Sequence, residues 1–275
     1  MYNILFSDLD ETLLDQNGQV PEINQRAIEA MQKKNKLFVI ATGRSYNMIY
    51  DIQKQVHTYN CEKQYSLCFN GGLVIENKGN HVLYFKGLDK KDARILFDEG
   101  QKRGLCMLVF TMECCYIFNA DAYEVERKKN QKAPYKVMDG DLDEIQEDIA
   151  KMLLMKRDMD YLRDLKASVE PKLAGHVALS FSSNRYMECN AAGVSKGAGL
   201  AFLCDYLQIP VSEAIAIGDN YNDISMIQKA GLGACVASSH ADIKQTADYV
   251  CEKDYAEGAV AEVIEKFMGG VKNGL

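Results

Sequence analysis

Short apolar runs alternate with amphipathic stretches at both ends of the chain. Tyr2 to Phe6 is mostly apolar and brief, which reads as a buried strand. The turn signal Asp15-Gln16-Asn17-Gly18 follows it. Pro21 to Lys34 then predicts a helix, with Ile23, Ala27, Ala30 and Met31 at helical spacing. Leu37 to Ala41 is a second strand, Ser45 is placed to cap a helix running to about Val56, and Ser66 to Phe69 is a third strand. Strands alternating with helices argue for a parallel α/β sheet.

The middle of the chain has a different pattern. Leu73 to Ile75 and Val82 to Phe85 flank a Gly79-Asn80 turn and suggest a hairpin. Asp89 to Arg103 reads as a helix, Leu105 to Phe110 and Cys114 to Phe118 as strands, and the charged stretch Asp121 to Lys132 as a helix or a loop. Leu142 to Ile149 reads as a short helix, Met152 to Met155 as a strand and Met159 to Val169 as a helix. Val177 to Phe181 with Tyr186 to Cys189 suggests another hairpin. This mixture predicts an α+β unit over residues 84–189, inserted into an α/β domain made of residues 1–83 and 190–275. Alternation then resumes: helices at Ser195 to Leu207, Ile224 to Ala230 and Glu257 to Phe267, strands at Ala214 to Ile217, Gly233 to Val236 and Tyr249 to Cys251, and a fraying Gly269-Gly270 tail.

Polar groups gather where these strands end. Asp8 and Asp10 follow the first, Thr42-Gly43-Arg44 the second, and Gly218-Asp219-Asn220-Tyr221-Asn222-Asp223 a late one. In a doubly wound parallel sheet, ligands bind outside the carboxyl ends of the strands, so these clusters should converge. Asp8 and Asp10 are two residues apart and leave an extended backbone on one side, where two close carboxylates favour a cation or a raised pKa. The same tripeptide also reads as a solvated turn. Asp8, Asp10 and Asp219 offer only oxygen ligands, which suits Mg²⁺. Asn222 and Asp223 could buttress that site or simply cap a helix. Lys196, in Gly193-Val194-Ser195-Lys196-Gly197, stands at a helix start, where a cation is locally unfavourable; an anion facing that helix end would account for it, as would ordinary surface exposure. Thr42 can donate a hydroxyl to a phosphoryl oxygen, and Arg44 can pair with an anion or lie on the surface.

Composition narrows the picture. The chain has 275 residues, 47% of them apolar and 26% charged, as in a soluble globular protein of one domain plus an insertion. A net charge of −7 gives no basic surface for nucleic acid or an anionic membrane. No run is long enough for a membrane span, and the N-terminus lacks the pattern of a signal peptide. The nine scattered cysteines form no Cys-x-x-Cys and the four histidines show no ligand spacing, so core thiols in a reducing cytoplasm are expected rather than a zinc site. Neither a Walker phosphate loop nor a dinucleotide-binding glycine fingerprint is present.

Four segments carry a resemblance: Asp8-Leu9-Asp10-Glu11-Thr12-Leu13-Leu14, Ala41-Thr42-Gly43-Arg44, Gly193-Val194-Ser195-Lys196-Gly197 and Gly218 to Asp223. In this order they resemble the four motifs of the haloacid dehalogenase (HAD) superfamily, in the wording of its Cof-type sugar-phosphate phosphatases. Asn70-Gly71-Gly72 is similar to the Asn-Gly-Ala usually found ahead of the cap, and the insertion is similar to a type IIB cap. The resemblance implies a Rossmann-like core, a lid, and a Mg²⁺-dependent phosphatase acting on a small phosphate ester. It implies that Asp8 is the nucleophile and a metal ligand, and that Asp10 is the general acid/base with its carbonyl on the metal. Asp219 would bind Mg²⁺, Thr42, Gly43, Arg44, Lys196 and Asn222 would hold phosphate, and Asp223 would support the site. One departure is Glu11, where the family usually has glycine. The same motifs also allow a phosphotransferase or phosphomutase, and a non-catalytic phospho-accepting protein is the alternative from another class. The oligomeric state and the identity of the ester are not readable from these residues.

Overall fold

The computed structural model describes residues 1–131 and 133–269. Helix α1 (Glu22–Gln32) follows strand β1 (Ile4–Ser7), and β2 (Leu37–Ala41), α2 (Tyr50–Gln55), β3 (Tyr65–Cys68), β4 (Leu73–Glu76) and β5 (His81–Phe85) continue the first half of the core. The insertion contains α3 (Lys90–Lys102), β6 (Cys106–Thr111), β7 (Cys115–Phe118), α4 (Ala122–Asn130), β8 (Tyr135–Met138), β9 (Ile149–Met155), α5 (Met159–Val169), β10 (Val177–Ser182) and β11 (Tyr186–Ala191). The chain then forms α6 (Lys196–Tyr206), β12 (Ala214–Gly218), α7 (Ile224–Lys229), β13 (Leu232–Cys235), α8 (Ala241–Thr246), β14 (Tyr249–Val250) and α9 (Ala259–Phe267).

Two compact units result. The first, Met1–Phe85 with Ser195–Leu275, holds a sheet ordered β14-β13-β12-β1-β2-β3-β4-β5. It is parallel from β14 to β3, and β4 and β5 return antiparallel. β1 and β12 bury every side chain, which is why they read as continuous apolar runs rather than alternating ones. Ile4, Phe6, Val39, Ala41, Leu67 and Ala216 pack against Leu200 and Leu203 of α6. The second unit, Lys86–Val194, holds a sheet ordered β10-β11-β9-β6-β7-β8, antiparallel except for β7 with β8. Its core joins Leu96 and Phe97 of α3 and Leu162 and Leu165 of α5 to Met107, Phe118, Leu154 and Met187.

Several expectations need correction. The units divide after Phe85 and after Val194, against the expected divisions after residues 83 and 189. The reasons are that β5 pairs with β4 in the larger sheet, while Ala191 still pairs with Val177 in the smaller one. Leu142 to Ile149 is not a helix. A capping box between Asp141 and Glu144 closes a single 3₁₀ turn, and Ile149 already belongs to β9. Ser45 caps no helix: its hydroxyl donates to Asn47 Oδ1, and a 3₁₀ turn precedes the short α2. The inward stripe of α1 is Asn24, Ala27, Ile28 and Met31, with Ile23 38% exposed. Asn24 takes the inner place because its amide donates to Leu13 O and accepts from Ala261 N of α9. Strand β8 and helix α8 have no counterpart among the elements expected from the sequence. The charged stretch from Asp121 is helical as α4, capped by the Asp121 carboxylate; Lys132 and Gly270, included in two of the expectations, lie outside the described residues. The nine cysteines are free, and all but Cys61 and Cys114 are buried. Among the described residues no helix is long and apolar enough to cross a membrane.

Candidate active site

The site is built from the register of neighbouring strands. Ser7 stands level with Ile217 on one side and Ile40 on the other. The next residues, Asp8, Gly218 and Ala41, therefore stand level where the three strands end, with Thr42 and Asp219 one step on. Gly218 is needed here: a Cβ on it would lie 2.4 Å from the Asp223 Cβ. The close approach lets the Asp223 carboxylate fold back under the loop, where its Oδ2 accepts from the backbone N–H groups of Asp219 (3.0 Å) and Asn220 (3.1 Å).

Lys196 lies in the first turn of α6, whose N-cap Ser195 accepts from Ala198 N. Its side chain is fully buried, and its Nζ reaches Asp8 Oδ1 and Asp223 Oδ1, each at 2.5 Å. Burial works against the ammonium, but Asp223 and Asp8 outweigh it and hold the Lys196 pKa above its usual value. Ligand oxygens of Asp8, Asp219 and Asp223 all lie within 4.8 Å of one another. Three carboxylates against one ammonium would leave two surplus negative charges if all were ionised, and burial opposes that. Burial accordingly pushes Asp8 up to about 7, opposed by Lys196 and reinforced by Asp223. Burial, then Asp8 and Asp223, push Asp219 up to about 8. An all-oxygen donor set with surplus negative charge fits a hard divalent cation.

Asp10 sits apart from this cluster. Its carboxylate is 63% exposed and forms a two-pronged pair with Arg44, whose Nε donates to Oδ2 at 3.1 Å and whose Nη2 donates to Oδ1. The Arg44 guanidinium, expected on an anion, is thus held by Asp10, and the Asp10 carboxylate is not among the three clustered acids. Thr42 is buried, and its Oγ1 accepts from Arg44 N at 3.2 Å. Gly43 lies against the Asn70 side chain. Asn222 is exposed, and its amide donates to Asn70 Oδ1 at 3.3 Å. Two members of the site carried no assigned role in the sequence. Thr12 donates to Asp219 Oδ1 at 2.8 Å, so the first motif also orients the fourth. Asn70 joins the second motif to Asn222. Their signal was position inside quoted segments; their role needs the fold.

The chain matches the haloacid dehalogenase-like hydrolase family over residues 5–264. The YxeH protein of Bacillus subtilis (strain 168) is 26% identical over 98% of this chain and 99% of its own length. The 5-amino-6-(5-phospho-D-ribitylamino)uracil phosphatase YcsE of the same organism is 24% identical over 95% of this chain and 94% of its own. The crystal structure of a haloacid dehalogenase-like hydrolase from Bacteroides thetaiotaomicron superposes with a TM-score of 0.88 at 26% identity, covering 96% of this chain and 99% of that one. The fold is also that of the HAD subclass IIB sugar phosphatase BT4131, with a TM-score of 0.80 at 18% identity over 97% of this chain and 99% of that one. With the four motifs in order and their acids gathered at the strand ends, this chain belongs to the haloacid dehalogenase-like hydrolase family, as a phosphatase of the HAD type.

Proposed function

We propose that this enzyme hydrolyses small phosphomonoesters, sugar phosphates foremost, through an aspartyl-phosphate on Asp8, with Mg²⁺ held by Asp8, Asp219 and the backbone carbonyl of Asp10. The observation that carries this reading is the buried Lys196 shared between Asp8 and Asp223, with Asp219 beside them. Asp223 is committed to Lys196 and to two backbone N–H groups, so it serves the site as a brace, and Asp8 and Asp219 are the carboxylates left for a cation.

Bound Mg²⁺ would supply positive charge to the phosphoryl oxygens. The chain's own groups do the rest. Lys196 holds one Asp8 oxygen and adds its charge where the phosphoryl group must arrive. The other Asp8 oxygen attacks phosphorus, and the ester P–O bond breaks. Protonated Asp10 gives its proton to the departing alkoxide; as a carboxylate it then takes a proton from water. That water attacks the acyl phosphate, releasing inorganic phosphate and restoring Asp8. Thr42 and Asn222 donate to phosphoryl oxygens in this reading.

Rapid quench with a ³²P-labelled aryl phosphate, followed by peptide mapping, tests it. Label on Asp8, and loss of turnover in excess EDTA restored by Mg²⁺, are expected. Label on another residue, or full turnover after the metal is stripped, overturns the mechanism. Transfer of label to a sugar hydroxyl rather than to water would mark a phosphotransferase.

A further inference from the structure

Three consecutive residues after β3 have positive φ: Phe69 at 49°, Asn70 at 56° and Gly71 at 87°. The left-handed region is costly for a side chain such as phenylalanine, and asparagine tolerates it better than most. Such strain persists where the surroundings over-determine it, and it gathers at functional sites. The surroundings here are the machinery of the larger unit. Phe69 N donates to Arg44 O at 3.0 Å and Asn70 N donates to Thr42 O at 2.9 Å, so the turn is stitched to the second motif. A Cβ on Gly43 would lie 3.1 Å from Asn70 Oδ1, which leaves glycine the natural occupant beside that amide. A Cβ on Gly71 would lie 2.3 Å from Ser195 O, the N-cap residue of the helix that carries Lys196. The Asn70 side chain completes the set by accepting from Asn222 Nδ2.

We propose that Asn70 is a positioning residue for the phosphate pocket: its amide holds Asn222, while its backbone, locked in the left-handed turn, sets Thr42 against Lys196. This rests on the phosphatase reading above. It assigns to one turn the task of keeping three motifs, far apart in sequence, in a common register. The side-chain part of the role is separable from the backbone part, because glycine accepts the same φ and lacks only the amide.

The test is a cycle of Asn70→Gly, Asn222→Ala and the double variant, assayed with an aryl phosphate and Mg²⁺, with inorganic phosphate as inhibitor. Asn70→Gly should keep its melting temperature within about 2 °C, because its backbone is unstrained. It should nevertheless lose about tenfold in kcat/KM and in phosphate affinity, the worth of one oriented hydrogen bond. Asn222→Ala should lose a similar factor, and the double variant no more than the worse single one, since Asn70 acts through Asn222. Losses that multiply in the double variant, or an Asn70→Gly protein with full activity, overturn the proposal. A loss in Asn70→Gly that comes with a matching fall in melting temperature also overturns it, because the role would then be structural. Wild-type protein inactive on phosphate esters would overturn the phosphatase reading instead, and calorimetric binding of inorganic phosphate to the same four proteins would still decide the turn.

Discussion

Glu11 occupies the position at which the family usually places glycine, and its φ of 58° shows why glycine is favoured. The left-handed region costs a side chain about 1–2 kcal/mol, and Glu11 is exposed, so its carboxylate offers little in return. Glu11→Gly should therefore raise unfolding free energy, by up to about 1 kcal/mol after the extra freedom of glycine in the unfolded chain is discounted. Urea denaturation measures this; a loss of stability would show that the Glu11 side chain is held by something more than its backbone. The neighbouring Asp10 separates chemistry from folding. Its ion pair with Arg44 is largely exposed on the carboxylate side, and such pairs are worth about 0–1 kcal/mol. Asp10→Asn should thus fold normally, yet turn over about 10²–10⁴-fold more slowly, the usual worth of general acid–base assistance. Steady-state kinetics checks the rate. Accumulation of phosphoenzyme on Asp8 would separate a lost base from a lost binding contact. Asp8→Asn, by contrast, should show no turnover and no phosphoenzyme.

Helices α6 and α7 illustrate how close packing places a charge. Gly197 follows Lys196, and a Cβ there would lie 2.2 Å from Ser225 O of α7, a backbone atom that cannot swing aside. Ser225 Oγ also accepts from Gly197 N at 3.1 Å. Asp223, the brace of Lys196, stands at the start of α7, so the glycine contact sets the distance between the ammonium and its partner. Gly197→Ala should force the helices apart at a cost of about 1–3 kcal/mol, typical of overpacking. It should lower the melting temperature and kcat together. A variant that loses stability while keeping kcat would show that Lys196 tolerates the shift.

The eight-stranded sheet brings surplus negative charge to one place, and this has a pH signature. Asp8 and Asp219 have pKa values raised from 3.8 to about 7 and about 8, chiefly by burial. Between those limits the folded protein keeps protons that the unfolded chain has released. The stability of the metal-free protein should therefore fall as pH rises from about 4 to about 8. A cation competes with those protons, so the rise in melting temperature caused by Mg²⁺ should be larger at pH 8.5 than at pH 6. Differential scanning calorimetry with and without Mg²⁺ checks both trends; an equal Mg²⁺ effect at the two pH values would count against these acids as the metal site. Much of this was legible along the chain. Strands buried on both faces read as plain apolar runs, and acids at their ends stood out because several such clusters at the carboxyl ends of parallel strands should converge, although each alone also reads as a turn or a helix cap. The capping box of Asp141 with Glu144 is a local signal that also opens ordinary helices, so it does not show that the turn stops at once. The buried Asn24 was not legible, because Ala261 N, which holds it inside, is brought to it only by the fold. The pairing of Lys196 with Asp8 and Asp223 belongs to the same class. A lysine at a helix start is, in sequence, a surface residue or an anion binder, and only packing that removes water and supplies two carboxylates turns it into a buried bridge. Likewise Asn70 and Thr12 are ordinary polar residues until the parallel strand order sets Asp8, Thr42 and Asp219 side by side, because hydrogen-bond partners hundreds of residues away are specified by the sheet and not by spacing along the chain.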